Sequence, residues 1–246
     1  MLCNNDILSF RLWIIWRGWV INGLYKYKQI EEDLADFFRI CHSKHYTAKS
    51  TLIRPGDSAD TLYYLREGSV TIVMENEEGE ELIVAHLNQG DFIGEIGLFS
   101  ETVDRTVTVR AKTDCRTEEI TYQQVKSLSN TTLKECYPSL LTLLAENMAK
   151  RLLSTTRKAS ELAFLDVTGR VAAALKELSA QPDAMKHEEG MQIKATRQEI
   201  SCMVGCSREM AGRVLRSLQD QGLVWARGKT MIIYDDEHKK PAVVVD

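Results

Sequence analysis

No apolar run in this chain reaches the ~18 residues that a membrane-spanning helix requires. The most apolar stretch, Ile7 to Tyr27, carries Trp13, Trp16 and Trp19 but is interrupted by Arg11, Arg17 and Asn22, so a membrane anchor is not expected. Six cysteines, Cys3, Cys41, Cys115, Cys136, Cys202 and Cys206, are scattered rather than clustered. Without a secretory signal, they read as reduced thiols of a cytoplasmic protein rather than as a disulfide framework or an iron–sulfur site. Cys202 and Cys206 flank a helix break and lack the two further ligands of tetrahedral zinc, so no metal is expected. There is also no Walker loop, no nucleophile with a nearby base and no metal-ligand set, which argues against an enzyme.

What is present is a composition of 44% hydrophobic and 27% charged residues over 246 positions, that of a soluble globular protein of one or two domains. The charge is unevenly spread. Residues 167–234 hold ten Lys and Arg against seven Asp and Glu, a net of +3, in a chain whose total is −4, leaving −7 elsewhere. Residues 1–35 read as an appended, partly helical extension, and 235–246 as a peripheral tail.

The basic segment contains two short helices broken by one glycine. Thr196 and Glu199 form a capping box, Gly205 supplies a left-handed stop, and Ser207 caps the second helix. In that helix Met210, Ala211, Val214, Leu215 and Leu218 recur at helical spacing and face a core. The opposite face is left with Arg208, Glu209, Gly212, Arg213 and Arg216. Arginine grips guanine O6 and N7 with two bonds, and glutamate accepts from the cytosine amino group, so this face suits double-stranded DNA; the alternative is an ordinary solvated helix face. Gly222 to Tyr234, two apolar runs around Arg227-Gly228-Lys229, reads as a β-hairpin with a basic tip. A winged helix-turn-helix over 166–234 results.

Tyr46 to Tyr122 changes to short β-rich runs at Ser50–Ile53, Leu62–Leu65, Ser69–Met74, Glu81–Leu87 and Val107–Arg110. Gly56, Gly68, Gly79 and Gly90 punctuate them at intervals of 12, 11 and 11. That rhythm predicts a β-sandwich, jelly roll or small barrel over 36–130, able to hold one small ligand. Gly94 and Gly97 expose backbone amides in a short turn that suits an anion, and Arg105 offers a planar fork to a phosphate. Glu95 is then free for a sugar hydroxyl; alternatively Glu95 and Arg105 pair with each other. After Pro138, Leu141, Ala145, Met148, Leu152, Thr155, Ala159 and Leu162 alternate by four and three, a heptad seam that predicts a parallel homodimer through the helix of 131–165. Polar Thr155 in that seam, with neighbouring Thr156, suits hydrogen bonds to something between subunits; back-bonding to the threonines' own helix is the alternative. Asp166 caps the next helix, Val167–Leu178, placing a joint at Phe164–Asp166.

Phe92-Ile-Gly-Glu-Ile-Gly-Leu-Phe99 with the later Arg105-Thr106, the joint Leu162-Ala-Phe-Leu-Asp-Val-Thr-Gly-Arg170, Gln181-Pro-Asp-Ala-Met185, Gly190-Met-Gln-Ile-Lys194, Thr196-Arg-Gln-Glu-Ile200 and Gly205-Cys-Ser-Arg-Glu209 closely resemble the cyclic AMP receptor (CRP/FNR) family of bacterial transcription regulators, from about Cys41 to Tyr234. The resemblance implies an α+β fold: a cyclic nucleotide-binding β-barrel, a long dimerisation helix and a C-terminal winged helix-turn-helix. It implies cyclic AMP as effector, with Gly94 and Glu95 on the ribose, Arg105 and Thr106 on the cyclic phosphate, and Thr155 with Thr156 of the partner subunit on the adenine amino group. It further implies that Arg208, Glu209 and Arg213 read base edges of a TGTGA-like half-site, while Thr196, Arg197, Ser207, Arg216, Arg227 and Lys229 contact phosphates. Ala184 to His187, in a loop, and the pair His42 and Lys44 resemble patches that touch RNA polymerase. Gln124, where a lysine is common, Met210, where threonine is common, and the turn Ser100–Asp104 depart from the pattern. Within the family, a regulator answering to cyclic di-GMP or to no ligand is the alternative. A kinase or channel regulatory subunit would share the barrel but has no use for Arg208, Glu209 and Arg213 on one face.

Overall fold

The computed structural model describes residues 30, 32–100 and 104–235; the expectations for the amino-terminal extension up to Gln29 and for the tail beyond Asp235 lie outside the described residues. A short helix α1 (Ala35–Ile40) leads into eight strands: β1 (His42–Tyr46), β2 (Thr51–Ile53), β3 (Thr61–Glu67), β4 (Ser69–Glu75), β5 (Glu81–Asn88), β6 (Phe92–Ile93), β7 (Thr108–Ala111) and β8 (Cys115–Thr121). They form two antiparallel four-stranded sheets, ordered β1-β8-β3-β6 and β2-β7-β4-β5. Leu52, Ile53, Leu65, Val70, Ile72, Leu87, Ile93, Val109 and Ala111 fill the space between them, which gives the expected jelly roll. Helix α2 (Ile96–Phe99) follows β6, and α3 (Tyr122–Leu128) follows β8 with a complete Thr121–Gln124 capping box.

Three strands exceed the expectation: β1, β6 and β8. β1 is an exposed polar edge strand and β6 has two residues, so neither carries an apolar period. β8 hides polar Thr117 and Glu118, which removes the alternation that marks a half-buried strand.

Helix α4 (Tyr137–Phe164), 28 residues long with a proline in its first turn, has two functional faces. Leu140, Leu143, Leu144 and Asn147 are buried. The three leucines share a cluster with Phe37, Tyr64, Phe92 and Leu133, where Phe92 stacks at 6.2 Å from Phe37 and 5.0 Å from Tyr64. The other face stays open, with Leu152 at 68% and Leu153 at 72% exposure. Of the expected seam, Leu141 and Met148 are half-buried, and Ala145, Leu152, Thr155, Ala159 and Leu162 are exposed, an apolar ridge directed away from the barrel.

Leu165 separates α4 from α5 (Val167–Ser179), whose N-cap Asp166 accepts from the Gly169 amide at 2.8 Å. Arg170 secures this elbow, donating from Nη1 to the Leu165 carbonyl at 3.1 Å and from Nε to the Val204 carbonyl at 3.0 Å. Strands β9 (Met185–His187) and β10 (Gly190–Lys194), helices α6 (Arg197–Val204) and α7 (Arg208–Asp220), and strands β11 (Val224–Arg227) and β12 (Thr230–Tyr234) complete the chain. A third sheet, in this unit, is ordered β11-β12-β10-β9. Ala184 to His187 is therefore not a loop: Met185–His187 is the edge strand of that sheet. Val171, Leu175, Leu178, Ile193, Ile200, Leu215, Leu218 and Met231 make the core of this unit, and Val73 and Ile83 of the barrel are buried in the same cluster.

Phe37 is fully buried. Phe37→Ala is expected to lower barrel stability by about 3–5 kcal/mol, seen as a lower urea midpoint at unchanged slope.

Candidate functional site

The turn after β6 brings its first two candidate residues to opposite partners. Gly94 adopts φ +84°, and a Cβ there would lie 2.5 Å from Arg105 Nη1 and 2.9 Å from the Thr61 carbonyl. The guanidinium thus occupies the space that any side chain would need. Arg105 donates from Nη2 to the Thr61 carbonyl and from Nη1 to the Tyr122 hydroxyl at 3.1 Å. That hydroxyl in turn donates to the Gly94 carbonyl. Burial pushes the Tyr122 phenol above its ordinary value, against an opposing pull from Arg105, so it remains a protonated donor. Gly97 is equally constrained, since a Cβ would meet the Tyr122 hydroxyl at 2.6 Å. Thr106 is exposed next to Arg105.

Glu95 does not pair with Arg105. Its carboxylate, 1% exposed, meets Arg151 of α4, and Arg151 also donates to the Phe92 carbonyl at 2.8 Å. A buried carboxylate is costly unless paired, and Glu95 is only half satisfied: its Oε2 is buried with no hydrogen-bond partner. That orphan is an acceptor awaiting a hydroxyl or amide donor. Arg151 and Thr155 lie four residues apart and so share one face of α4. Thr155 and Thr156 are both exposed. The Thr156 hydroxyl bonds back to the Leu152 carbonyl at 2.9 Å, whereas no partner for the Thr155 hydroxyl is found among the described residues. The two threonines therefore do not behave alike.

Arg151 and Tyr122 were not singled out from the sequence. Arg151 was findable, because it continues the barrel-facing stripe Leu140, Leu144, Asn147 of α4 at helical spacing, and a lone cation there calls for a buried acid.

In the carboxy-terminal unit, Thr196 caps α6, accepting from the Glu199 amide at 3.0 Å. The capping box is half formed, because the Glu199 side chain turns instead toward Lys112 of the barrel at 4.0 Å. Gly205 ends α6 at φ +63°, and Ser207 caps α7 through the Met210 amide at 3.2 Å. Arg208, Glu209, Arg213 and Arg216 are exposed and, with Arg197, line one open cleft. Gly212 departs from expectation: it is buried, not on the open face. The Arg197 side chain lies over it, with Cδ 3.5 Å from where a Cβ would stand. The amino-terminal end of α6 covers that point of α7. Strands β11 and β12 pair as a hairpin with Arg227 opposite Thr230. Gly228 at φ +64° comes first in the two-residue turn, as a type II′ turn requires. Arg227 and Lys229 are exposed at its tip. Six cations, Arg197, Arg208, Arg213, Arg216, Arg227 and Lys229, are thus exposed on the helices and wing that a duplex would meet.

Among the described residues no group of His, Cys, Asp and Glu could hold a metal ion, and no helix is long and apolar enough to cross a membrane.

Residues 43–132 match the cyclic nucleotide-binding domain and residues 169–239 the Crp-like helix-turn-helix domain. The chain is 50% identical over 206 residues to the cAMP-activated global transcriptional regulator CRP of Salmonella typhimurium, covering 84% of this chain and 96% of that one. It is 50% identical over 212 residues to the cAMP-activated global transcriptional regulator Vfr of Pseudomonas aeruginosa, covering 85% and 95%. Its fold matches the c-di-GMP-responsive global regulator CLP of Xanthomonas campestris with a TM-score of 0.79 and 45% identity, over 83% of this chain and 99% of that one. A nucleotide-binding jelly roll joined through one long helix to a DNA-reading unit, with half-identical relatives along nearly their whole length, places this chain in the CRP family of transcription regulators, which are not enzymes.

Proposed function

We propose that the protein is a homodimeric transcription regulator switched by cyclic AMP, acting on palindromic DNA with TGTGA-like half-sites and contacting RNA polymerase. The observation that carries the nucleotide reading is the half-satisfied carboxylate of Glu95 beside a guanidinium held over Gly94. Glu95 Oε2 has a free acceptor for a ribose hydroxyl, and Gly94, on the turn that presents it, suits the same sugar through its backbone. Arg105, with Thr106 beside it, presents a planar cation to the cyclic phosphate. Thr155, its hydroxyl uncommitted, and Thr156 of the partner subunit stand one turn along α4 from Arg151 and suit the adenine amino group. The effector supplies a diester anion and a base at this position; the chain's own residues do the coupling. Arg151 joins the pocket turn to the dimer helix, so a preference for one setting of Glu95 is a preference for one setting of α4. The open ridge of Leu152, Leu153 and Leu162 supports pairing with a second copy, since monomers seldom leave such residues in a row.

On the DNA side, Arg208, Glu209 and Arg213 stand where base edges are read. Thr196, Arg197, Ser207, Arg216, Arg227 and Lys229 suit phosphates, and two-fold pairing sets the half-sites about one helical turn apart. The exposed edge strands that hold Met185 and Lys186, and His42 and Lys44, support the polymerase contacts. The likeness to the c-di-GMP-responsive CLP favours cyclic di-GMP as the second reading of the effector.

Titration calorimetry with both nucleotides separates these readings. Arg105→Leu is expected to weaken cyclic AMP binding at least about 100-fold, equivalent to roughly 3 kcal/mol; tighter binding of cyclic di-GMP by the parent protein would reassign the effector. In fluorescence anisotropy, equal DNA affinity with and without cyclic AMP would reject the switch. Arg213→Ala is expected to cost about 1–3 kcal/mol on the preferred site and to relax discrimination at one base pair. Lys229→Ala is expected to weaken all sequences alike and reduce the salt slope by about 1.

A further inference from the structure

Beyond Arg151, helix α4 offers the barrel few side chains. From Leu152 to Ser160 every residue is exposed except Lys158, and a specific contact accounts for the exception. Lys158 Nζ donates to the Ile83 carbonyl at 3.0 Å and to the Val84 carbonyl at 3.4 Å. These carbonyls lie at a break in the sheet. Ile72 pairs with Ala85 and Val73 with Ile83, so Val84 is an extra residue, a β-bulge on β5. A bulge leaves its extra residue out of the ladder, and β5 is the outer strand of its sheet. Backbone groups that leave a ladder are paired elsewhere or left to water. An ammonium, with three donors on a flexible stem, can serve two such carbonyls at once.

Spacing along α4 gives the contact a second meaning. Arg151, Thr155 and Lys158 are separated by four and three residues and so share one face of the helix. They continue the stripe of Leu140, Leu144 and Asn147, which are buried. Arg151 fastens one end of this run to the turn after β6, through Glu95 and the Phe92 carbonyl. Lys158 fastens the other end to β5, and exposed Thr155 stands between the two. A ligand that touched both Glu95 and Thr155 would act on a length of helix held at both ends.

The strand that Lys158 holds also carries the DNA-reading unit. Val73 and Ile83, the pair next to the bulge, are buried in one cluster with Val171, Ala174, Met203 and Val204, and α6 packs on β5. Along the same seam His86 lies 3.4 Å from Glu177, Asn88 donates to Gln181 Oε1 at 3.0 Å, and Lys112 pairs with Asp183 at 2.9 Å. Ile83 is the junction: its carbonyl accepts from α4 while its side chain sits in the core of the reading unit.

We infer that Lys158 is a positioning residue of the switch, making the end of α4 beside Thr155 and the β5 bulge move as one piece. A displacement of the helix is thereby carried to the reading unit seated on that strand. The inference rests on the effector and DNA assignments proposed above, in which Lys158 touches neither ligand. Coupling between two sites requires an element whose setting both of them bias. Ile83 meets that requirement while its carbonyl is held by α4, and the exposed neighbours of Lys158 leave little packing to take over if the ammonium is removed.

The test uses the full-length protein with Lys158→Met, which keeps the length of the side chain but removes its donors, and Lys158→Arg, which restores them. DNA affinity for a TGTGA-type duplex is measured by anisotropy with and without saturating cyclic AMP, and cyclic AMP affinity by calorimetry with and without the duplex. The ratio of the two DNA affinities is the coupling factor, and reciprocity requires the same factor in the nucleotide affinities. Lys158→Met is expected to keep no more than about a fifth of the parent's factor, seen equally from both sides, and Lys158→Arg to keep most of it. Cyclic AMP affinity of the DNA-free variant is expected to stay within about threefold of the parent's, which shows that the variant folds. A fold defect would lower the active fraction of the protein without changing the ratio. Hydrogen exchange without effector reads the tie directly: amides over 81–88 and 197–204 are expected to exchange faster in Lys158→Met than in the parent or Lys158→Arg, with 122–128 unchanged. An equal or larger coupling factor in Lys158→Met overturns the proposal, as does unchanged exchange over 81–88. Absence of coupling in the parent overturns the effector assignment itself, and this proposal with it.

Discussion

Glu95 is a carboxylate almost wholly removed from water, and the arrangement of the barrel and its long helix follows from the need to neutralise it. An isolated charge at that depth would be lost by protonation or by unfolding. Arg151 prevents both, and reaches it only because α4 lies along the barrel with Leu140, Leu144 and Asn147 toward the sheet. The packing of the aromatic cluster around Phe92 and the position of this ion pair therefore specify one another. The same arginine holds the Phe92 carbonyl, so the turn that would receive a nucleotide and the helix that would pair with a second subunit meet at one guanidinium.

Much of this was legible in the sequence. Caps and stops around α6 and α7, the glycine-first wing turn and the jelly-roll rhythm of glycines all depend on local chemistry within a few residues, which a linear reading captures. Two readings failed because long-range packing overruled local chemistry. Glu199 has the residue type and spacing for a reciprocal capping box, but Lys112, 87 positions earlier, draws its side chain away. Gly212 occupies an outward position by helical period, yet Arg197 from the preceding helix lies across it. Arg151 and Tyr122 escaped for the same reason, since each acts on a residue distant in sequence. The choice between an internal Glu95–Arg105 pair and two separate roles could not be made from spacing alone, and the structure places those side chains on different partners.

Charge is distributed with similar economy. The DNA-reading unit is basic overall, but Glu177, Asp183 and Glu199 are gathered on the side that meets the barrel, opposite His86, Arg110 and Lys112. Glu209 is the acid that lines the cleft with Arg197, Arg208, Arg213 and Arg216, while Glu177, Asp183 and Glu199 meet the barrel. One domain thus presents opposite signs to its two neighbours, DNA and barrel.

The elbow at Leu165 has a geometric corollary. Only two extended residues, Leu165 and Asp166, lie between the helices, held by Arg170 on the Leu165 carbonyl and by the Asp166 cap. Each residue of α-helix turns its successors by about 100° and advances them 1.5 Å. Lengthening or shortening the chain here would swing the arginine-bearing helix to another bearing altogether. An exchange of side chain in this segment would leave that bearing unchanged, whereas a change of length would not.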